Sequence, residues 1–322
     1  MVPSEVPELP RSRFHLGELI ARGGMASVFE AYDERGRIVA AKIPHAAMMS
    51  SESALQRFMR EASLLCAVRS PFVVRGLGMS ECADGRPMLL MDRLWGEDLA
   101  TTLQRVGQVP LQRAVLSVVH GCIALATLHA MDVVHRDLKP SNLFVTSAPE
   151  DLGPTILLDL GIVKARSSQH SSVTIAGCVV GSPAYMAPEQ MLGDDALNHR
   201  ADIWSMGVLL YELLTGRVPF EGTNLMQVLS RVLLKTKARV SEFRTDVPVL
   251  AEDVIDQCLR VEPADRYGCA LDVARALLPV LPPFLAARAS EAIEACADRP
   301  SGIYSLAACG SSFGHVKRNV AP

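Results

Sequence analysis

One short stretch constrains the fold of this chain more than any other: a tight polar turn enclosed by two apolar runs. Residues 133–145 (the polar loop) read Val-Val-His-Arg-Asp-Leu-Lys-Pro-Ser-Asn-Leu-Phe-Val. Apolar residues on both sides predict a loop that is held between two buried segments. The turn carries an acid, a cation and an amide, namely Asp137, Lys139 and Asn142. The triplet His-Arg-Asp alone occurs by chance in many chains, so a solvated loop is the alternative interpretation.

The complete string resembles the catalytic loop of protein kinases, and its Lys-Pro-Ser-Asn portion is similar to the Ser/Thr-directed version. The resemblance implies transfer of the γ-phosphoryl group of ATP to serine or threonine hydroxyls of protein substrates. It also implies that Asp137 accepts the proton of the attacking hydroxyl, while Lys139 offsets charge on the moving phosphoryl group. Asn142 would then bind Mg²⁺ through its amide oxygen, and Arg136 is the arginine that precedes the catalytic aspartate.

Composition and charge restrict the classes of protein that remain. The chain has 322 residues, enough for one large or two modest domains, and a net charge of −3 that gives no reason to expect nucleic acid as a partner. Its 8 cysteines are scattered without a Cys-x-x-Cys pair. Residues 1–13 are Pro-rich, acidic and then basic, which is the reverse of the pattern of a secretion signal. The best apolar run, residues 276–287, is broken by prolines and falls short of the roughly 18–20 residues of a membrane span. We therefore expect a cytoplasmic protein without a membrane span.

Residues 14–33 read as two strands joined by a glycine-containing turn, whose backbone amides can approach phosphate oxygens because no side chain intervenes. The kinase template G-x-G-x-x-G-x-V fits in part: Gly23 and Val28 match, whereas Ala21 and Ala26 occupy the outer glycine positions. The Arg-Gly-Gly-Met variant resembles that of bacterial-type (eukaryotic-like) Ser/Thr kinases, which implies looser phosphate contact with nucleotide binding retained. A bare hairpin without a ligand is the alternative. The residues assigned to ATP are Ile20, Ala21, Arg22, Gly23, Gly24, Met25, Ala26, Ser27 and Val28.

An apolar strand over residues 37–43 carries a single lysine, Lys42. A surface lysine is the common explanation, but Lys42 lies fourteen positions after the last residue of the glycine template. That spacing matches the kinase lysine that pairs with the α- and β-phosphates, and the resemblance also assigns Ala40 to the nucleotide pocket. Helical spacing predicts an amphipathic helix over 53–68. Glu61 of this helix is the expected partner of Lys42, with a solvent-facing glutamate as the alternative.

Residues 92–98 resemble the hinge between the two lobes of a kinase. The resemblance implies that Met91 takes the gatekeeper position behind the adenine of ATP. It implies further that backbone groups of Asp92 and Leu94 contact the adenine edge. Asp98 either reaches the ribose hydroxyls or caps the helix that begins after it, and the sequence supports both interpretations.

The triplet Asp-Leu-Gly occurs twice after the polar loop, and only one copy fits the metal-binding position of kinases. The first copy starts at Asp151 in the Pro-flanked stretch 147–154, which predicts a hairpin loop with nothing to rigidify a metal ligand. The second copy starts at Asp159 directly after an apolar strand, so its carboxylate is expected at a strand end. We therefore expect Asp159 and Asn142 to bind Mg²⁺, and the resemblance assigns Leu143 to the nucleotide pocket.

Residues 162–180 are polar and resemble a kinase activation loop, in which a phosphate would pair with Arg136. A mobile tether is the alternative interpretation. Ser182 takes the substrate-facing position after this loop, and Glu189 is expected to pair with Arg266 because a lone buried acid is costly. The candidate phosphate acceptors are Ser167, Ser168, Ser171, Ser172 and Thr174.

Apolar patterns predict the remaining elements. Strands are expected to start at Pro71 and to cover 86–94. Helices are expected over 111–131, 201–214 and 286–297. Asp202 lies at the start of a nearly uncharged helix. The kinase resemblance implies that it holds the backbone of the polar loop.

The resemblance covers roughly residues 14–280 and implies an α+β, bilobal protein kinase-like fold with a small β-rich N-lobe and a larger α-helical C-lobe. The expected boundaries are a disordered segment 1–13, an N-lobe 14–91, a hinge 92–98, a C-lobe 99–280, and a C-terminal helix and tail 281–322. A catalytically weak or inactive scaffold is the alternative function, yet such a protein would normally have lost a key lysine, aspartate or metal ligand. A small-molecule kinase would lack the Ala-Pro-Glu segment 187–189.

Overall fold

The computed structural model divides into two compact units that follow one another along most of the chain. The residues that it describes are 14–147, 152–161, 183–193, 197–234 and 236–298. Among them, the smaller unit comprises 14–68 and 75–92, and the larger unit comprises 69–74 together with the described residues from 93 to 298. The predicted disordered segment 1–13 and most of the predicted tail lie outside the described residues.

The smaller unit is built on an antiparallel sheet of five strands with the order β1-β2-β3-β5-β4. Its strands are β1 (Phe14–Arg22), β2 (Ala26–Asp33), β3 (Ile38–Pro44), β4 (Gly76–Glu81) and β5 (Pro87–Asp92). One face is apolar because every second residue of the central strands points into the core, as strand geometry requires. The buried cluster is Phe29, Ala31, Val39, Ala41, Ile43, Cys82, Met88 and Leu90. Strand β3 therefore lies in the middle of a well-packed sheet.

A single long helix, α1 (Glu52–Ala67), completes this unit. It begins at the N-cap Ser51, whose side chain accepts a hydrogen bond from the amide of Ala54 at 3.4 Å. The helix approaches β4 so closely that a Cβ on Gly76 would lie 2.7 Å from the amide nitrogen of Cys66. Only glycine fits there. The buried face of α1 consists of Ala54, Phe58, Glu61, Ala62 and Leu65.

The larger unit is mainly helical and carries a small sheet in which β6, β7 and β8 are neighbours in that order. These strands are β6 (Gly96–Asp98), β7 (Leu143–Thr146) and β8 (Thr155–Leu157). The helices are α2 (Leu99–Val106), α3 (Leu111–His129), α4 (Pro188–Leu192), α5 (Arg200–Thr215), α6 (Leu225–Leu233), α7 (Val249–Cys258), α8 (Ala270–Leu277) and α9 (Pro283–Ala297). Helices α3 and α5 are apolar almost all round and pack against each other at the centre.

The predicted α+β class is confirmed, with a β-rich N-terminal part and a helical C-terminal part. Predicted helices at 53–68, 111–131, 201–214 and 286–297 are present as α1, α3, α5 and α9. The strand expected to start at Pro71 is wrong, because β4 begins only at Gly76. Residues 72–74 instead hydrogen-bond to Leu157: its amide donates to Phe72, and its carbonyl accepts from Val74.

Helix α3 is the longest and among the most apolar helices of the larger unit. Among the residues that the structure describes, α3 is the one helix that is both long enough and apolar enough to cross a membrane. Most of it is buried inside the larger unit, as in the central helix of many globular domains. Length and composition alone are weak evidence for a span, and this mostly buried helix is not a clear one.

Candidate active site

A buried ion pair joins the two predicted residues of the smaller unit. The Nζ atom of Lys42 lies 2.8 Å from Oε1 of Glu61, and the two side chains are only 14% and 5% exposed. Lys42 stands in β3 opposite Val28 of β2 and Leu89 of β5, so the sheet fixes its position from both sides. Because desolvated charges are costly unless they are paired, this lysine is not a surface lysine of the ordinary kind.

The glycine-containing turn connects β1 and β2 and is closed by a hydrogen bond from the amide of Gly23 to the carbonyl of Ala26, at 2.9 Å. A Cβ on Gly24 would meet nothing within 4 Å, so packing within the protein does not require glycine there. Such an open backbone suits the close approach of a ligand. Ala21 pairs with Val28 across the strands. Of the other predicted residues here, Ile20 and Met25 are exposed, Arg22 pairs with Ser27, and the Ser27 hydroxyl contacts the His45 ring.

The predicted adenine residues lie on the neighbouring strands β3 and β5 of the smaller unit and in the residues that follow β5. Ala40 and Met91 are buried partners across β3 and β5. The amide of Asp92 donates to the carbonyl of Arg75 at 3.0 Å, so the prediction for Asp92 concerns its carbonyl. The carbonyl of Leu94 accepts a hydrogen bond from the side chain of the preceding arginine. The prediction for Leu94 therefore concerns its amide.

Two further predicted residues belong to the larger unit. Asp98 is the N-cap of α2, and its two oxygens accept hydrogen bonds from the amide and hydroxyl of Thr101 at 2.9 and 3.0 Å. The capping interpretation of Asp98 is thus confirmed, while its contact with ribose stays a prediction. Leu143 is fully buried and pairs with Leu157 of β8.

The polar loop is held by one buried carboxylate, Asp202 at the start of α5. Its oxygens accept hydrogen bonds from the amides of His135 and Arg136 at 2.9 and 2.8 Å, and His129 Nε2 lies 2.8 Å away. Burial raises the pKa of Asp202, but the His129 hydrogen bond, the nearby His129 and His135 rings and the Arg136 amide together lower it below its usual value. The ionised form is therefore the stable one, and the expected role of Asp202 is confirmed.

His135 links the backbone on the two sides of the site. Its fully buried ring accepts a hydrogen bond from the amide of Asp137 at Nδ1, at 3.3 Å, and donates from Nε2 to the carbonyl of Asp159. The ring thus accepts at one nitrogen and donates at the other. Gly161 then turns the chain with φ +59°, where a Cβ would lie 2.2 Å from the carbonyl of His135. The glycine of this Asp-Leu-Gly copy is required by packing.

The polar side chains of the loop form one connected group. The Nζ atom of Lys139 lies 3.4 Å from Oδ2 of Asp137, and Asn142 donates from Nδ2 to the main-chain carbonyl of Asp137 at 2.8 Å. That bond leaves the amide oxygen of Asn142 as the atom suited to a metal ion. The amide of Leu158 donates to the carbonyl of Asn142 at 2.9 Å, which ties the residue before Asp159 to the same loop.

The donor set suits Mg²⁺. A carboxylate and an amide oxygen are hard ligands, and Mg²⁺ in proteins is typically bound by one or two carboxylates completed by water and substrate phosphates. Within the described part of the chain there is no group of three or more His, Cys, Asp and Glu residues able to hold a metal. Water or phosphate oxygens would therefore have to complete a coordination sphere begun by Asn142 and Asp159.

Strand β8, which leads to Asp159, is anchored by a buried histidine. Burial, with the charges of Arg113 and Arg288, lowers the pKa of His120 to about 3, so the ring is neutral. Its Nδ1 atom accepts a hydrogen bond from the amide of Thr155 at 3.1 Å. The loop before β8 joins it to antiparallel β7, as the hairpin interpretation of 147–154 requires. Asp151 itself lies outside the described residues.

The segment after the serine-rich stretch is fixed by a second buried ion pair. Glu189 of α4 binds Arg266 through two hydrogen bonds of 2.7 and 2.8 Å, and the arginine side chain is completely buried. The predicted partnership of these residues is confirmed. Residues 162–182, with the candidate phosphate acceptors and Ser182, lie outside the described residues.

A cavity of about 400 Å³ opens beside Lys139 and Ser141. Its walls include Tyr185 and Glu212, whose hydroxyl and carboxylate form a hydrogen bond of 2.5 Å. Burial raises the pKa of both groups, and for Tyr185 the neighbouring carboxylate raises it further. The sequence analysis gave neither residue a role. Glu212 was nevertheless detectable, because it interrupts an otherwise apolar stretch of α5.

Comparison with known proteins identifies one family. The model of the protein kinase domain matches residues 14–276. The chain is 32% identical to serine/threonine-protein kinase pkn3 of Myxococcus xanthus over 263 residues, which is 80% of this chain and 48% of pkn3. It is 35% identical to serine/threonine-protein kinase PknA of Mycobacterium tuberculosis over 260 residues, 79% of this chain and 58% of PknA.

A third relative, the probable serine/threonine-protein kinase PknB of Bifidobacterium longum, is 32% identical over 272 residues. That match covers 81% of this chain and 39% of the relative. The chain therefore spans between about four tenths and six tenths of the length of these three relatives. The similarity is carried by the region from β1 to α8, whereas α9 lies beyond the matched residues.

Proposed function

The chain belongs to the protein kinase domain family, and we propose that it transfers the γ-phosphoryl group of ATP to serine or threonine hydroxyls of proteins. The observation that carries this proposal is the connected group in the polar loop. There the Asp137 carboxylate has Lys139 Nζ at 3.4 Å and its main-chain carbonyl bonded to Asn142. An acid, a cation and an oxygen ligand are what phosphoryl transfer requires of a protein. The relatives are all named serine/threonine-protein kinases, which favours these acceptors over small molecules.

In this proposal each residue of the larger unit has one task. Asp137 accepts the proton of the acceptor hydroxyl, a step for which a positioned base typically contributes about 10²–10⁴ in rate. Lys139 offsets negative charge on the phosphoryl group in transit. The Asp159 carboxylate and the Asn142 amide oxygen hold Mg²⁺, which neutralises charge on the phosphates when it is bound. The cavity beside Lys139 and Ser141 offers room for the segment that carries the acceptor.

The nucleotide is assigned to residues of both units by the family resemblance. Lys42, held by Glu61, would pair with the α- and β-phosphates, and the backbone of the glycine-containing turn would approach the phosphates. The carbonyl of Asp92 and the amide of Leu94 would contact the adenine edge. Ribose contact by Asp98 is compatible with its capping role, because each carboxylate oxygen has more than one lone pair. The remaining assigned residues are Ile20, Ala40, Met91 and Leu143.

We also infer the setting in which this reaction takes place. ATP is available in the cytoplasm, where cysteines stay reduced. The six cysteines of the described residues are free thiols, as that compartment favours. Protein substrates with serine or threonine acceptors are the proposed partners.

A transfer assay tests the proposal. The purified chain is incubated with γ-labelled ATP, Mg²⁺ and an array of serine- and threonine-containing peptides, and phosphorylated positions are mapped by mass spectrometry. We expect label on serine and threonine. In Asp137→Asn, ATP affinity should persist while transfer falls by about 10² or more, because the base is lost but the shape is kept.

A matched control is available five residues earlier. Asp132→Asn makes the same chemical change at an exposed position with φ 56°, where asparagine is well tolerated, and it should leave transfer unchanged. Undiminished transfer in Asp137→Asn would refute the assignment of the base. ATP binding without any transfer by the unmodified chain would instead support the alternative of a catalytically inactive scaffold.

A further inference from the structure

The peptide group between Arg136 and Asp137 is held at both of its polar atoms. Its carbonyl oxygen, on Arg136, accepts a hydrogen bond from Nε2 of Gln190 at 2.8 Å. Its N–H, on Asp137, donates to Nδ1 of His135 at 3.3 Å. A peptide group is planar, so fixing both atoms fixes the plane and with it the position of the Asp137 Cα atom, from which the side chain leaves the backbone.

The residue on the other side of this peptide is in a conformation that needs such support. Arg136 has φ +65°, in the left-handed region that non-glycine residues rarely adopt. Residues in this region persist where the surrounding structure determines them, and such positions cluster at functional sites. The N–H of Arg136 donates to Asp202 and its carbonyl accepts from Gln190, so the two side chains hold it from its two ends.

Gln190 is itself well fixed. It belongs to α4, directly after Glu189, whose double hydrogen bond to the buried Arg266 anchors this short helix in the larger unit. Its other amide atom, Oε1, is buried and has no hydrogen-bond partner within the described part of the chain. Within the described residues, the hydrogen bond to the Arg136 carbonyl is therefore the only polar contact of the Gln190 side-chain amide.

We propose that Gln190 is a positioning residue for Asp137, acting through the Arg136 carbonyl to aim the proton-accepting carboxylate at the acceptor hydroxyl. The inference rests on the proposed function, in which Asp137 is the base. It connects α4, in the segment that follows the loop with the candidate phosphate acceptors, to the catalytic aspartate by one side-chain hydrogen bond.

Replacement by methionine isolates this bond. Gln190→Met keeps the length of the side chain and removes the donor, so the single-turnover rate of peptide phosphorylation should fall about tenfold, equivalent to about 1.4 kcal/mol. The Kd for ATP should not change. The melting temperature should stay near that of the unmodified chain, because the variant also removes a buried acceptor without a partner among the described residues. Gln257→Met, at an exposed position of α7, is the matched control and should have no effect.

A second variant guards against poor folding of the first. Gln190→Glu preserves the shape but turns an oxygen toward the Arg136 carbonyl, so its rate should fall at least as far as that of Gln190→Met. Normal single-turnover rates in both variants would overturn the inference.

A double-mutant cycle with Asp137→Asn separates positioning from a merely structural role. If Gln190 acts through Asp137, adding Gln190→Met to Asp137→Asn should leave the residual transfer rate unchanged. If Gln190 only supports α4 or the docking of peptide, the same tenfold loss should appear in both backgrounds, and the proposal would be wrong. Failure of the proposed function itself would look different, because the unmodified chain would then give no transfer at all.

Discussion

Lys42 illustrates how a single charged residue is placed by its surroundings. The sheet fixes its backbone between β2 and β5, and Glu61 holds its ammonium group at 2.8 Å in a nearly dry environment. A lysine is a compact point charge on a flexible stem, so an ion pair is needed to hold it in one direction. That arrangement suits the proposed role of Lys42 as the cation that faces the phosphates.

Removing this cation should separate phosphate contact from adenine binding. In Lys42→Met we expect kcat/KM for peptide phosphorylation to fall by about 10² or more, while the Kd for adenosine, measured by calorimetry, changes little. The variant leaves Glu61 buried without its Lys42 partner, which costs stability. The double variant Lys42→Met/Glu61→Gln relieves that cost and should remain inactive. An equal loss of adenosine affinity in both variants would point to misfolding instead.

The two Asp-Leu-Gly copies make opposite predictions at the residue scale. Asp159 follows an anchored strand and has its carbonyl bonded to His135, whereas Asp151 lies outside the described residues in the stretch predicted to be a hairpin loop. Asp159→Ala should abolish transfer at all Mg²⁺ concentrations because a metal ligand is lost. Asp151→Ala should be nearly silent. Titrating the transfer rate against Mg²⁺ in both variants decides which copy binds the metal, and the reverse order would mean that the wrong copy was chosen.

Elements with a single periodicity were the most predictable part of the structure. Helices α1 and α5 begin and end within about one residue of the predicted bounds, because their apolar residues repeat at helical spacing. The strand placed at Pro71 failed for a different reason. Local sequence indicates β structure at 72–74, but it does not reveal the partner, which is Leu157 about eighty residues later.

Contacts in the site could be predicted where the family pattern includes both residues. They could not be predicted where tertiary packing alone brings the two residues together. Glu61, Asp202 and Arg266 followed from the family pattern, and each makes the contact expected of it. The roles of Gln190 and Tyr185 did not follow from the sequence. Their partners, Arg136 and Glu212, lie 54 and 27 positions away, and no local spacing encodes such distances.

The short helix α4 depends on one arginine from near the start of α8. Arg266 uses all five of its N–H donors: two bind Glu189, and three bind the carbonyls of Arg200, Arg260 and Val261. In Arg266→Met we expect the free energy of unfolding to fall by about 3–5 kcal/mol, because the Glu189 carboxylate stays buried without its cation. Urea denaturation of the purified variants measures this.

Two further variants make the test specific. Adding Glu189→Gln to Arg266→Met should recover part of the lost stability, since no charge is then left buried. Arg275→Met breaks an exposed pair with Asp272, whose side chains are 50% and 43% exposed, and should cost about 0–1 kcal/mol. A double variant no more stable than Arg266→Met would contradict the account of the pair.

At the scale of the whole molecule, each unit has its own core and holds some of the residues of the proposed site. The smaller unit carries the Lys42–Glu61 pair between β3 and α1, and the larger unit carries the polar loop, which follows α3 and runs into β7. Helix α9 lies beyond the region matched by the kinase family and packs on α3 and α8 through Leu285, Ala289 and Ile293. The core of the larger unit therefore includes residues that family membership alone does not account for.

Activity of the whole molecule is predicted to depend on residues 162–180, which lie outside the described residues. A phosphate there adds about −1.5 to −2 of charge and several acceptor oxygens, and Arg136 directly before Asp137 is the cation expected to receive it. We predict autophosphorylation within 167–174, with Thr174 favoured because it is nearest to the anchor that begins at Gly181. Mass spectrometry of active enzyme should find phosphate there.

Changing all of these acceptors to alanine should lower phosphorylation of an added peptide by about 10- to 100-fold, the worth of one or two charge-assisted hydrogen bonds. The variant carries alanine at Ser167, Ser168, Ser171, Ser172 and Thr174. Changing the exposed Ser53 and Ser241 to alanine is the control and should have no effect. The competing hypothesis is constitutive activity, with the loop serving only as a tether. It would be correct, and the phosphate switch absent, if the five-alanine variant phosphorylated the peptide at the rate of the unmodified chain.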